Sequence, residues 1–311
     1  MQTANVSAHA KIILIGEHAV VYGQPAISFP LKTIRTYVCL KPTNNGQIIH
    51  SKLFDGDLQQ VSDRLTGVKK LITTLLTRLA TLDTPFDLTI TSDIPIERGM
   101  GSSAATALAI TKAFYTAFQQ PLNEQTLLTT AAISEKIIHG NPSGLDAATD
   151  NSQVPIYFIK NQCLHPIKLH INGYLIVADT GIQGQTKEAV NAVQKLMQQQ
   201  PTQTKQLITK LGQLTNAVVN MLANNQLTAL GKAMNEAQVI LKKLTVSSSA
   251  LDKLVYIAQQ YGALGSKLTG GGRGGCMISL TDTESHAVNI AHHLKQNGAN
   301  QTWIVPLKTI N

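Results

Sequence analysis

Residues 86–91, Phe-Asp-Leu-Thr-Ile-Thr, alternate apolar and polar side chains, the period-two pattern of a half-buried strand. A loop follows from Ser92 to Gly101. From Ser102 to about Phe118 the chain is rich in alanine, with Ala105, Leu108, Ala109 and Ala113 at helical spacing. The order is strand, glycine loop, helix. A second helix is predicted from Asn123, a good N-cap, to His139, where Gly140 can take the left-handed terminating conformation. Its apolar stripe passes through Leu128, Ala131, Ala132 and Ile138, and Glu135 falls on the same stripe. A carboxylate there either faces inward, which is costly without a partner, or sits at the stripe's edge and reaches water.

Further strands are expected near 4–14, 26–40 and 47–51, which makes the first half an α+β unit. Past residue 172 the pattern reads strand (174–178), helices (about 186–199, 205–223, 227–243 and 250–261), strand (263–268), glycine loop, strand (276–280), helix (283–297) and strand (303–307). Collapsing the helical insertion leaves β-α-β-β-α-β, the split βαβ or ferredoxin-like order. The expected fold is therefore α+β in two domains, 1–170 and 171–311, joined near 165–172.

Composition narrows the class. At 311 residues, with 43% hydrophobic and 14% charged residues, the chain is an ordinary globular protein long enough for two domains. The N-terminus has no charged n-region and its apolar run Ile12–Ile15 is too short for a signal peptide, and no stretch approaches a membrane span, so a cytoplasmic protein is expected. Cys39, Cys163 and Cys276 show no pairing or CxxC spacing, and the nine histidines form no metal cluster. The surplus of 26 Lys+Arg over 18 Asp+Glu, a net +8, favours anionic ligands. RNA is one such ligand, but the basic residues are unclustered and aromatics are only 5%, which leaves little for base stacking.

Four segments carry candidate chemistry. The first is 95–105, Pro-Ile-Glu-Arg-Gly-Met-Gly-Ser-Ser-Ala-Ala. Gly99 and Gly101 allow a ligand to approach the backbone, and the helix start beyond them offers unpaired N–H groups and a positive dipole end, a phosphate-binding arrangement. Ser102 and Ser103 can add hydroxyls to a phosphate oxygen and a metal ion, or Ser102 can be a plain N-cap. Gly99-x-Gly101-x-x-Ala104 also fits the dinucleotide fingerprint, but that needs an acidic residue about 20 positions on, where the chain reads Gln119-Gln120-Pro121. No Walker A sequence is present.

The second segment, 267–275, has five glycines in six residues and reads as a flexible loop closing over a ligand. In the third, 11–23, an apolar run breaks at Gly16 into the polar pair Glu17-His18. Lys11 alone reads as a solvated strand end. In the fourth, 139–150, the turn Asn141-Pro142-Ser143-Gly144 delivers Asp146 to the start of a helical piece, where a carboxylate also suits the helix dipole.

Together these segments resemble the three ordered motifs of the GHMP kinases, and the resemblance extends over nearly the whole chain. Within that superfamily KIILIGEHAVVYG and HGNPSGLDAATD are most similar to the mevalonate-phosphorylating branch. The resemblance implies an N-terminal domain like domain 2 of ribosomal protein S5 and a C-terminal ferredoxin-like domain. It implies ATP bound by Pro95, Glu97, Arg98, Gly99, Met100, Gly101, Ser102, Ser103, Ala104 and Ala105. By the same resemblance Ser103 and Glu135 hold Mg²⁺, Asp146 accepts the proton of the substrate hydroxyl, and Lys11 supports it in catalysis. Glu17, His18, Thr186 and Gly271 fall to the substrate, mevalonate, phosphorylated on its C5 hydroxyl. Neither nucleic acid nor membrane is an implied partner, and a homodimer is compatible with the family.

One departure stands out. Animal members carry a basic residue in the turn that here reads Gln183-Gly184-Gln185-Thr186. A sister kinase acting on phosphomevalonate, homoserine or a sugar is the alternative, but a phosphorylated substrate would demand extra Lys or Arg that the sequence does not single out.

Overall fold

The computed structural model describes residues 1–139 and 145–307. Its contacts divide the chain into two compact units that interleave in sequence. Unit 1 comprises Met1–Lys11, Pro30–Ile96 and Gly101–Gln153, and unit 2 comprises Ile12–Phe29, Glu97–Met100 and the chain from Val154 onward. This differs from the expected single cut near residue 170. The first strand and the glycine loop each pass from one unit into the other, so a boundary drawn from helix and strand order cannot capture it.

Unit 1 is built on β1 (Ala4–Ile15), β2 (Ala26–Pro42), β3 (Gln47–Ser51), β4 (Phe54–Asp57) and β5 (Phe86–Ser92). Strand β5 pairs antiparallel with the second half of β2, from Thr36↔Ser92 to Pro42↔Phe86, and parallel with β3. β3 and β4 form a hairpin, and β1 pairs with β2. Four helices accompany these strands: α1 (Thr66–Leu79), α2 (Ser102–Ala117), α3 (Glu124–His139) and α4 (Leu145–Asn151).

Helix α2 is buried almost all round, and its alanines make that feasible by letting α1, α3 and α4 pack closely against it. Phe114 on α2 meets Phe86 edge-on, with ring centroids 5.6 Å apart, which ties the helix to β5. The N-terminus of α2 is thereby held in place. Asn123 caps α3 as expected, its side chain accepting a 2.8 Å hydrogen bond from the Thr126 N–H. The expected turn Asn141-Pro142-Ser143-Gly144, with Gly140 before it, lies outside the described residues.

In unit 2 the first residues of β2 pair with β6 (Ile156–Ile159), which forms a hairpin with β7 (Cys163–Pro166). The remainder comprises β8 (Gly173–Asp179), α5 (Thr186–Gln199), α6 (Pro201–Ala223), α7 (Leu227–Lys243), α8 (Ser249–Gln260), β9 (Gly265–Leu268), β10 (Cys276–Thr281), α9 (Glu284–Gln296) and β11 (Gln301–Leu307). The sheet runs β11-β8-β10-β9 and every neighbouring pair is antiparallel, which is the expected split βαβ order. Its middle strands are continuous apolar runs, including Leu175-Ile176-Val177-Ala178, all fully buried. Helix α7 approaches β9 through two glycines, since a Cβ on Gly265 would stand 2.1 Å from the carbonyl oxygen of Gly231. No described helix is long and apolar enough to cross a membrane.

Candidate active site

In unit 1 the functional side chains gather at the end of β1. Lys11 reaches Asp146, in the first turn of α4, with Nζ 2.8 Å from Oδ1. The lysine side chain is only 3% exposed and the aspartate 40%, so a buried cation grips a carboxylate that solvent still reaches. Burial works against the Lys11 charge, but Asp146 first, and then Asp150 and Glu135, outweigh it and hold the ammonium above its ordinary range. The solvated strand end is therefore not what the fold builds.

Glu135 on α3 is 4% exposed, so it faces inward instead of reaching water. Burial, followed by the Asp146 charge, pushes its carboxyl up to about 7, with Lys11 pulling the other way. Asp150 lies one helical turn beyond Asp146 on α4 and is fully buried, and among the described residues neither of its carboxyl oxygens has a hydrogen-bond partner. Burial, then repulsion from Asp146, raises it well above the usual carboxylate range. Three carboxyl groups thus crowd around one ammonium, with Lys112 more distantly opposing.

Gly101 brings the phosphate-binding candidate to this cluster. It precedes α2 with φ of +75°, and a Cβ there would lie 2.7 Å from Asp150 Oδ2 and 3.0 Å from Lys11 Cγ. Only glycine satisfies both the left-handed backbone and the contact. The N–H groups of the first turn have no intrahelical partner, and no side chain caps them. Ser102 and Ser103 are half-buried beside them, while Ala104 and Ala105 are fully buried and can offer a ligand only backbone. Pro95 is half-buried at the other end of the loop.

Unit 2 gathers the remaining residues around the second glycine segment. Glu17 is buried in an ion pair with Lys267, whose Nζ also donates to the Leu268 carbonyl at 2.6 Å. The His18 ring nitrogen Nε2 lies 3.0 Å from the Gly271 carbonyl oxygen. A carbonyl can only accept, so Nε2 carries the proton and Nδ1 is left as the acceptor. Thr269 Oγ1 accepts from the Ile13 N–H at 3.0 Å and donates to the Ile13 carbonyl at 2.9 Å, joining this loop to the N-terminal motif.

The glycines of this loop are close-packed against neighbouring backbone. A Cβ on Gly270 would stand 2.9 Å from Gly99 Cα, one on Gly271 would be 2.1 Å from Thr186 Oγ1, and one on Gly274 would be 2.4 Å from the Gln183 carbonyl oxygen. Their lack of side chains lets three backbone segments meet, which accounts for the glycine content. Arg98 is committed elsewhere: its guanidinium pairs with Asp179 at 3.0 Å and donates to the Gly181 carbonyl at 2.9 Å. Glu97 is exposed, Met100 is fully buried, and the Gly184 N–H donates to the Glu97 carbonyl at 2.9 Å.

Unit 1 therefore assembles Lys11, Gly101, Ser102, Ser103, Glu135 and Asp146 among the residues expected from sequence, and unit 2 assembles Glu17, His18, Gly99, Thr186 and Gly271. Sequence reasoning missed Asp150, Lys267 and Asp179. Asp150 was findable from its four-residue spacing to Asp146, whereas a buried lysine in a strand gives no local signal that it pairs with a glutamate 250 residues away.

A model of the GHMP kinases N terminal domain matches residues 67–150, and one of the GHMP kinases C terminal domain matches residues 217–300. The mevalonate kinase of Thermococcus sibiricus is 32% identical over 309 residues, covering 92% of this chain and 91% of its own length. Among solved structures, mevalonate kinase from methicillin-resistant Staphylococcus aureus MRSA252 is 32% identical with a TM-score of 0.77, covering 99% of both chains. L. major mevalonate kinase in complex with R-mevalonate is 26% identical with a TM-score of 0.86, covering 98% of this chain and 96% of that one.

The His18 environment yields a pH prediction. Burial, aided by the Lys267 and Arg273 charges, lowers its pKa from 6.5 to about 4. The unfolded chain binds the proton first as pH falls, so the stability contributed by neutral His18 is present above 6.5 and lost between 6.5 and about 4. Its ring resonances should stay constant in NMR spectra from pH 8 down to 5.5. A midpoint near 6.5 would contradict the buried, neutral ring.

Proposed function

Because the chain belongs to the GHMP kinases, and within them to the mevalonate kinases, we propose that it transfers the γ-phosphate of ATP to the C5 hydroxyl of mevalonate with Mg²⁺. The observation that carries the chemical reading is the Lys11–Asp146 pair: a fixed, buried ammonium holding a partly exposed carboxylate. Phosphoryl transfer is mostly positioning and charge neutralisation, and this pair does both. Asp146 accepts the proton of the attacking hydroxyl, the hydroxyl oxygen bonds to the γ-phosphorus, and the bond to ADP breaks. The Lys11 ammonium, 2.8 Å from Asp146 Oδ1, holds the carboxylate in place and offsets negative charge during transfer.

The first turn of α2, with the Ser102 and Ser103 hydroxyls, receives phosphate oxygens on its free N–H groups. The residues also fit a divalent cation. Among the described residues the buried oxygens of Asp150 have no donor, and Glu135 is held partly protonated near neutral pH, so the cluster around Lys11 carries more carboxyl groups than that ammonium satisfies. Among the described residues no group of three or more His, Cys, Asp or Glu could hold a metal alone. That suits Mg²⁺, which takes one or two carboxylates and completes its shell with phosphate oxygens and water. Glu135 and Ser103 would hold it, and when bound it neutralises the phosphate oxygens.

Two substitutions test these roles. Asp146→Asn should reduce ADP release with mevalonate by about 10²-fold or more while ATP binding persists. Near-normal turnover in that variant would rule Asp146 out as the base. Glu135→Gln should raise the Mg²⁺ concentration needed for half-maximal activity, and an unchanged metal titration would remove Glu135 from the metal site.

A further inference from the structure

A substrate carboxylate needs a cation, and in unit 2 the candidates can be counted. Two positive charges act on the His18 ring, those of Lys267 and Arg273. Lys267 is wholly buried and already neutralised by Glu17. Arg98, whose backbone carbonyl lies against Gly275, is likewise neutralised by Asp179. Arg273 is not. Among the described residues it forms no ion pair, and its side chain makes a single 3.3 Å hydrogen bond from Nε to the Thr245 carbonyl. It is half-buried, so its guanidinium is neither lost in the core nor fully solvated.

Its backbone reinforces the point. Arg273 sits at φ +57°, in a stretch where every neighbour from Gly270 to Gly275 is glycine. Glycine would occupy this conformation without strain, so the arginine is held there against its preference. The loop cannot shift to relieve it. The Arg273 N–H is bonded to the Val246 carbonyl at 2.8 Å, and Cβ atoms on Gly272 and Gly274 would stand 2.0 and 2.4 Å from the Val246 and Gln183 carbonyl oxygens. The same loop seats the turn that leads into α5: the Gln185 N–H bonds to the Gly272 carbonyl at 3.3 Å, and Thr186 packs on Gly271. That turn, 182–186, contains no basic side chain, and the next cation, Lys187, is exposed.

We propose that Arg273 binds the carboxylate of the substrate and selects acids over neutral alcohols. The assignment rests on the mevalonate reading above. Arg273 lies two residues from Gly271, whose carbonyl oxygen is 3.0 Å from His18 Nε2, so the loop that carries the arginine also carries the partner of that ring.

Steady-state kinetics of wild type, Arg273→Gly, Arg273→Lys and Lys187→Ala, with mevalonate and with its neutral carboxamide, test this. Arg273→Gly should raise the KM for mevalonate about 10- to 100-fold, as expected for losing a charge-assisted pair. The KM for ATP should stay within about twofold, as should kcat, because uniform binding is what is lost. The carboxamide should be insensitive to the substitution, Arg273→Lys should recover part of the loss, and Lys187→Ala should behave as wild type. Because glycine relieves the positive φ, the Arg273→Gly melting temperature should not fall. A mevalonate KM within about twofold of wild type, an equal rise for acid and carboxamide, a rise confined to ATP, or a loss seen only in Lys187→Ala would overturn the assignment. Wild type inactive on mevalonate would overturn the functional reading and this assignment with it, whereas an active wild type isolates Arg273.

Discussion

An ammonium buried as deeply as Lys11 persists only where negative charge replaces the water it has lost. Everything distinctive in unit 1 follows from that requirement. The pairing carboxylate comes from α4, the more distant ones from α3 and one turn further along α4, and Gly101 is glycine because Lys11 and Asp150 occupy the space of its side chain. Burial first, and then the crowding of carboxylates that keeps Lys11 charged, raises Glu135 and Asp150. The physical outcome is an excess of buried carboxyl groups over the one ammonium they share, set beside a helix N-terminus suited to phosphate.

Unit 2 solves a different problem, bringing several backbone segments into close contact. Buried pairs, Glu17 with Lys267 and Arg98 with Asp179, anchor the segments, and Thr269 stitches the glycine loop to Ile13 through both backbone groups. Buried ion pairs contribute little net stability, but they penalise any other arrangement of the loops they join. Glycines then allow contact distances that a Cβ would forbid. Rigidity of this kind is what preorganised binding requires, and it leaves Arg273 as the one strained, uncommitted side chain in the loop.

The larger elements could be read from the sequence because their periodicity is strong. The ferredoxin-like order followed from strands and helices of ordinary length, and α2 and α3 from their alanine run and apolar stripe. Helix α1 carries a usable signal as well, with Val68, Leu71, Ile72, Leu75 and Leu76 buried at helical spacing. Strands β4, β6 and β7 have four residues each, too few for alternation to register. In the site, Asp146 and Glu135 were legible as polar residues in apolar or turn contexts. The Glu17–Lys267 pair, 250 residues apart, and the interleaving of the two units are long-range facts that local pattern does not encode.

The Lys11–Asp146 pair and the phosphate-suited start of α2 together support transfer of the γ-phosphate of ATP to the primary hydroxyl of mevalonate. Phosphorus NMR of the wild-type reaction reads this directly, because a phosphate on the C5 methylene couples to two protons. The account predicts equal amounts of ADP and a phosphomonoester appearing as a triplet. ADP with free phosphate alone, or a singlet from the tertiary hydroxyl or the carboxylate, would contradict it.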